Sequence, residues 1–409
     1  KTSEKQNTAN EPQDTTDKDE NNTEEKREDE QQQAKMRVKK VANYITNNVK
    51  SLGKGTFGDV KLATHIHTGD QVAMKILDKD RIKNEEDFKR VVREIQVLKL
   101  LNHENVVKLL EVIDTPRHIY LVTEFISNGE LFNYVQQNRR LTEKQSCQFF
   151  RELCYAVHYC HLRKVCHRDL KLENILLTKD LHVKIIDFGL SNVLQKDYKL
   201  KTQCGSPSYA SPEMLLCKKY DGPLVDVWSL GIILFAMVCG FLPFDDDDLQ
   251  VLYKKIIAGV FRIPSFVSKN LRDLLEKILV VDPEQRINML EIMAHPWFVD
   301  TLEEPVAQVK EEIQLQKIDF KIVYTIVSTL KELDPVKIIR ALLQDKHNSL
   351  TATYYLLCEK RGPMEWKYTE QRPYAVQMGI QIDENGDVKL NSLHSEETQP
   401  NTQKMDQKE

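Results

Sequence analysis

From Tyr44 onward, apolar residues come in short alternating runs at 49–52, 60–63 and 72–77, broken by glycines and by the turn Thr68-Gly69-Asp70. Alternation with period two puts successive side chains on opposite faces, so these runs predict strands of an antiparallel sheet. One helix interrupts them: Phe88, Val91, Val92, Ile95, Leu98 and Leu101 recur at helical spacing with Arg and Glu between. After Gly129 the pattern becomes predominantly helical, at 142–162, 225–239, 249–258 and 271–280. The pattern predicts an α+β chain with a small β-rich lobe followed by a larger helical lobe.

Residues 299–312 read as a linker. Beyond it, residues 313–360 carry three short helical patterns, at 320–331, 335–345 and 350–360. Asp334-Pro335 suits a helix start, Ser349 is placed to cap the third helix, and Gly362-Pro363 stops it. Residues 361–409 are polar apart from Trp366 and are expected to be largely irregular, with a hairpin turn at Asn385-Gly386. At the other end, residues 1–43 are expected to form a disordered acidic tail. Its first 34 residues hold eleven acidic against five basic side chains, with Ala9 and Ala34 as their only apolar ones. Such a segment cannot bury enough surface to offset its ordering entropy.

Composition narrows the function. The 409 residues carry 58 basic and 62 acidic groups, 58 − 62 = −4, with 41% hydrophobic side chains. That is enough chain for about two or three domains and disfavours a strongly basic nucleic-acid binder. The apolar run 231–240 is about half of a bilayer crossing, so it predicts a buried helix and no membrane span. No signal peptide is recognised, and a first residue of Lys rather than Met points to a cut or processed start. Eight cysteines without a CxxC pair read as reduced thiols of a cytoplasmic or nuclear protein.

The chemistry lies in an ordered set of motifs. Gly53-x-Gly55-x-x-Gly58-x-Val60 sits between two strand-like runs, where missing side chains let backbone N–H groups approach a polyphosphate. Strand rather than helix follows it, unlike a dinucleotide-binding turn. The next strand, Val72-Ala73-Met74-Lys75, sets a cation beside that loop, and Glu94 on the helix can hold the ammonium. His167-Arg168-Asp169-Leu170-Lys171-Leu172-Glu173-Asn174 places a carboxylate and an amide five residues apart, and Asp187-Phe188-Gly189 follows another apolar strand. Phosphoryl transfer needs a carboxylate near the acceptor hydroxyl, oxygen ligands for magnesium and cations beside the phosphates.

This set resembles the signature motifs of eukaryotic protein kinases, over residues 44–298. The resemblance implies a bilobal kinase fold that uses ATP and Mg2+ to phosphorylate protein substrates. Gly53, Gly55 and Gly58 would cover ATP, and Leu52, Val60, Ala73 and Leu176 would enclose the adenine. Thr123 would guard the back of the pocket before a hinge running from Glu124 to Ile126. Lys75 would bind the α- and β-phosphates and pair with Glu94. Asp169 would receive the acceptor proton, Lys171 would steady the γ-phosphate, and Asn174 and Asp187 would ligate magnesium. Lys171 and the run Gly205-Ser206-Pro207-Ser208-Tyr209 resemble serine/threonine rather than tyrosine kinases. Glu213, paired with Arg286, and Asp226 are implied as structural.

The segment Leu200-Lys201-Thr202-Gln203-Cys204-Gly205-Ser206-Pro207 resembles the activation loop of the AMP-activated protein kinase family and its microtubule-affinity-regulating relatives. The resemblance implies activation by an upstream kinase acting on Thr202, whose phosphate would pair first with Arg168. Glu130 and Glu173 stand where basophilic relatives hold basic residues upstream of the acceptor, and Asp245 to Asp248 add a carboxylate run. Residues 348–357 are similar to the third helix of the family's ubiquitin-associated or autoinhibitory domain. The Met-Gly-Tyr/Phe loop of ubiquitin-binding versions is replaced by Leu330-Lys331-Glu332-Leu333, so intramolecular docking on the kinase lobes is expected, with regulatory subunits as further candidate partners. The alternative is a kinase-fold scaffold acting mainly through this C-terminal module.

Overall fold

The first lobe is a single antiparallel sheet. Its strands are β1 (Lys39–Val41), β2 (Tyr44–Gly55), β3 (Gly58–His65), β4 (Gln71–Asp78), β5 (Leu109–Asp114) and β6 (His118–Glu124), in the order β1-β2-β3-β4-β6-β5. The computed structural model describes residues 39–55, 58–193, 206–216, 220–302, 317–331 and 333–389. Expectations for residues 1–38, Thr202, most of the linker and residues 390–409 lie outside them. β1 corrects the expected start at Tyr44: Lys39 to Val41, assigned to the tail, pair with Thr46 to Tyr44. Only Val41 of this strand is buried, so it carries no alternation to read.

The strand β4 shows how the sheet works. Val72 and Met74, on one face, are buried, while Ala73 and Lys75, on the other, are half-buried, so one face joins a core and the other lines a cleft. Helix α1 (Glu85–Leu100) packs beside the sheet. It starts at Asn84, whose side chain accepts the Asp87 N–H at 2.8 Å, with three carboxylates in its first turn, a charge placement that the helix dipole favours.

The second lobe contains α2 (Leu131–Asn138), α3 (Glu143–Leu162), β7 (Val165–Cys166), β8 (Ile175–Leu177), β9 (Val183–Ile185), β10 (Asn192–Val193), α4 (Pro212–Leu215), α5 (Gly222–Cys239), α6 (Leu249–Ala258), α7 (Lys269–Ile278), α8 (Met289–Met293) and α9 (Pro296–Asp300). The last of these takes up Val299 and Asp300, which corrects the expected start of the linker at 299. By length and composition α5 could cross a membrane, but 89% of that span is buried inside the fold. It is the apolar axis on which the lobe is assembled, as its all-round hydrophobicity requires.

The C-terminal region is a four-helix module: α10 (Phe320–Thr329), α11 (Pro335–Leu343), α12 (Ser349–Arg361) and α13 (Tyr368–Gln377). Asp334 caps α11, its side chain accepting the Val336 N–H at 2.9 Å, and Gly362 ends α12 at φ +79°. Ser349 is not the cap of α12. Asn348 is, in a capping box with Thr351.

The expected irregular tail is also corrected. Gln371 of α13 accepts the Phe320 N–H at 2.8 Å, Trp366 Nε1 donates to the Ile318 carbonyl at 2.9 Å, and Ala375, Ile380 and Ile382 enter the module core. Helix α13 is polar and contains Pro373, so its sequence has no apolar stripe. Asn385 and Gly386 do lie in a tight turn, closed by the Ile382–Val388 bridge.

Helix α12 is buried on two sides. Tyr354 packs within the module, while Ala352 and Leu356 join Val41, Tyr44, Val72, Met74, Leu110, Tyr120 and Val122 on the outer face of the sheet. Lys108 lies over the Tyr355 ring at 3.8 Å, and Lys360 donates to the Thr68 carbonyl at 3.2 Å. Leu356 is 3% exposed, so Leu356→Ala should cost about 2–5 kcal/mol through lost burial and a residual cavity, measured by urea denaturation of the full chain.

Candidate active site

A buried carboxylate on α5 shapes the loop after β7. Asp226 accepts the N–H groups of His167 at 3.0 Å and Arg168 at 2.8 Å, and lies 2.8 Å from His161 Nε2. Burial pushes its carboxyl up, but the His161 hydrogen bond and the nearby imidazoles hold it below the usual range. These bonds fix Arg168 at φ +67°, a left-handed backbone that a side chain adopts only when its surroundings enforce it. His167 also bonds the Ile186 carbonyl at 3.0 Å, and its ring meets buried Phe188 edge-on at 4.8 Å. The loops of Asp169 and Asp187 are thereby tied together.

Asp169 is held from both sides. Its Oδ2 accepts from the Lys171 ammonium at 3.1 Å and Asn174 Nδ2 at 3.2 Å, and its Oδ1 accepts from the Ser206 N–H at 2.9 Å and hydroxyl at 3.2 Å. Lys171 reaches the same hydroxyl at 2.8 Å. Ser206 is therefore a site residue that the motif reading used only as a family mark. Asn174 Nδ2 also donates to the Asp169 carbonyl at 2.8 Å, leaving the amide oxygen as its available ligand atom.

Across the cleft, Lys75 Nζ meets Glu94 Oε1 at 2.5 Å and Asp187 Oδ1 at 3.5 Å. Burial alone would lower the ammonium's pKa; the two carboxylates overcome it and raise it. Asp187, also pushed up by burial, is brought below its ordinary value chiefly by Lys75. Its side chain is 47% exposed. An amide oxygen at Asn174 and a half-open carboxylate at Asp187 are the hard oxygen donors that magnesium prefers, so the donor set fits that ion.

The sheet register explains the cleft wall: Gly53 opposes Val60, Val60 opposes Lys75, and Ala73 opposes Thr123. Leu52, Val60, Ala73, Thr123 and Leu176 are half-buried, and Glu130 bridges to Leu176 through the backbone. Ile126 is buried. Gly53 has open space where a Cβ would stand, whereas a Cβ on Gly58 would meet the Ile76 carbonyl oxygen at 1.6 Å. Close packing on β4 is reason enough for glycine there. Glu124 turns its carboxylate away from the cleft, accepting the Lys108 N–H at 2.8 Å and the Lys184 ammonium at 2.7 Å. It braces β5, β6 and β9 and is not a side-chain lining of the cleft.

Arg168, expected to receive a phosphate, donates to the Leu190 carbonyl and lies 3.3 Å from the Tyr220 hydroxyl. Arg93 of α1 comes close to it: partial burial, then the Arg168 charge, lower its pKa. The two arginines stand 75 residues apart in the chain, and only the fold brings the charge of one to bear on the other. Glu130 and Glu173 are neighbours, the Glu130 carboxyl being raised by burial and by Glu173. The run Asp245 to Asp248 is partly structural, with Asp248 capping α6 and Asp246 paired to Lys255 at 2.9 Å.

Below the cleft, Arg286 and Glu213 form a bidentate pair at 2.8 and 2.9 Å, both groups almost wholly buried. Glu213→Gln should cost about 3–5 kcal/mol by leaving the guanidinium buried without its counter-charge, read as a lowered urea midpoint at unchanged slope.

Residues 46–298 match the family model described as the protein kinase domain. The chain is 44% identical over 314 residues to the serine/threonine protein kinase OSK4 of Oryza sativa subsp. indica, covering 76% of this chain and 61% of that protein. It is 41% identical to the SNF1-related protein kinase catalytic subunit alpha KIN12 of Arabidopsis thaliana (76% and 63%), and 40% identical to a SIK3 homolog of Danio rerio described as a serine/threonine-protein kinase (76% and 27%). These matches span less than two thirds of each relative.

Proposed function

Since the chain belongs to the protein kinase family, we propose that it is an active serine/threonine kinase of the SNF1- and AMP-activated-kinase-related type, moving the γ-phosphoryl group of ATP to hydroxyls of protein substrates. The observation that carries this reading is the closed Lys75–Glu94 pair at 2.5 Å, in one cleft with Asp169, Lys171 and Ser206 converging on a single point.

Lys75, oriented by Glu94, holds the α- and β-phosphates and so fixes where the terminal phosphoryl group lies. Asp169 orients the acceptor hydroxyl and takes its proton as the oxygen–phosphorus bond forms and the bond to the β-phosphate oxygen breaks. Lys171 offsets negative charge on the moving group. Magnesium, when bound, neutralises phosphate oxygens; Asn174 and Asp187 are the residues that would hold it. Glu130 and Glu173 give the acceptor side a negative wall, which supports a preference for Lys or Arg upstream of the target residue.

Phosphorylation of Thr202 by an upstream kinase would supply the anion for Arg168 and Arg93, which join the catalytic loop to α1. The module of residues 317–389 is UBA-like in its first three helices, and its seat on the sheet supports modulation of activity by docking rather than ubiquitin recognition. Regulatory subunits are further candidate partners.

The deciding experiment is phosphorylation of a degenerate peptide library with ATP and magnesium by chain phosphorylated at Thr202. Labelling of Ser and Thr with basic residues upstream is expected, and Asp169→Asn should lower the rate by about 10²–10⁴-fold. Equal use of acidic peptides would refute the preference, and an unimpaired Asp169→Asn would refute the catalytic assignment. Arg93→Gln should cut the activation gained from Thr202 phosphorylation by about tenfold or more, the worth of one charge-assisted hydrogen bond. The check is the ratio of phosphorylated to unphosphorylated activity in each variant.

A further inference from the structure

Helix α12 and the sheet close over two histidines. His65, at the end of β3, is fully buried. Its Nδ1 lies 3.0 Å from Thr68 Oγ1, and its Nε2 faces Thr353 Oγ1 of α12 at 3.4 Å. His347, in the turn that leads into α12, is half-buried, and its Nδ1 is buried with no hydrogen-bond partner among the described residues. Its carbonyl accepts the Val112 N–H of edge strand β5 at 3.3 Å. The two rings therefore sit at two points of one interface, and among the described residues neither has a carboxylate within ion-pair distance.

The charged and titratable groups around them are few. The Tyr44 ring of β2 lies tilted against His65 at 5.2 Å and its hydroxyl donates to Glu111 of β5 at 2.8 Å. His67 and Asp70 face His65 from its own turn, and Lys360 of α12 reaches Thr68 and Asp70. His347 is faced by Asp345 of its own turn, by Lys99 of α1 and by Lys108 at the approach to β5.

We propose that His65 and His347 make the docking of the C-terminal module on the sheet proton-sensitive, so that acidification from neutrality loosens α12 from the kinase domain. A buried imidazolium is costly without a counter-charge, and this interface gives His65 only neutral hydroxyls and leaves Nδ1 of His347 without a hydrogen-bond partner among the described residues. Burial pushes His65 down to about 4, with His67 adding to the fall and Asp70 opposing it; burial likewise lowers His347, the charges of Lys99 and Lys108 adding to the fall and Asp345, through its charge and backbone, opposing it.

The sign follows from linkage. With the freed ring titrating near 6.5, docking is at full strength above that pH and weakens about tenfold per unit as pH falls toward 4. His347 adds in the same direction. Glu111, raised by burial, takes up a proton more readily when covered and acts in the opposite direction.

The Val112 amide is the reporter, since its partner is the module's own His347 carbonyl. Residue-resolved hydrogen exchange of the full chain, corrected for intrinsic rates, should show Val112 protection falling about tenfold from pH 7.5 to 5.5, while Ile233 and Leu234 in the α5 core stay protected. In the double variant His65→Gln, His347→Gln, protection should be nearly independent of pH. Constant protection in the wild type, or an equal fall in the double variant, overturns the proposal. Should the variant fail to fold, imidazole titration by NMR in the wild type decides: His65 should stay neutral below pH 5, and a midpoint near 6.5 overturns the proposal.

Discussion

The cleft depends on one carboxylate that lies buried beneath it. Asp226 has no solvent contact, and its oxygens are spent on two loop N–H groups and an imidazole. In a dry interior each of those bonds is strong, and an unmatched carboxylate would be very costly. The loop therefore cannot relax without exposing that cost. This is how a left-handed Arg168 persists one residue before Asp169. The apolarity of α5 is part of the same device, because it keeps water from competing for Asp226.

On the opposite wall the constraint is a balance of charge. A lysine between two carboxylates remains an ammonium despite its burial, and the shorter contact, to Glu94, ties β4 to α1. Helix α1 also carries Arg93, close to Arg168. A change in the position of α1 thus reaches both Lys75 and Arg168. The sheet that bears Lys75 has its other face under α12, and Met74 and Lys75, adjacent in sequence, serve opposite sides.

Much of this was legible in the residues. Period-two and helical spacing located the strands and long helices, and ordered motifs located the acidic, basic and amide groups of the cleft. What escaped reading had no periodic signature. Helix α13 is polar, contains a proline and buries only Gln371 and Ala375. β1 is three residues long beside an acidic tail. Helix α12 looks scarcely amphipathic because Ala352 and Leu356 face the sheet while Tyr354 faces the module. Ser206 and Arg93 become site residues only through contacts across the fold, and Glu124 changes its meaning once Lys184 is found beside it. Side-chain direction is decided by packing, which motif spacing does not encode.

The position of α12 in the chain has a consequence for biosynthesis. The sheet is complete at Glu124, but Leu356, which covers its outer face, is added 356 − 124 = 232 residues later. At about 5–20 residues per second, the ribosome needs roughly 10–50 s to make that stretch. For that time Val72, Met74, Leu110 and Val122 form a bare apolar surface on a nascent lobe, a state in which exposed hydrophobic area invites aggregation. A truncation that stops before α12 would leave that surface without its cover.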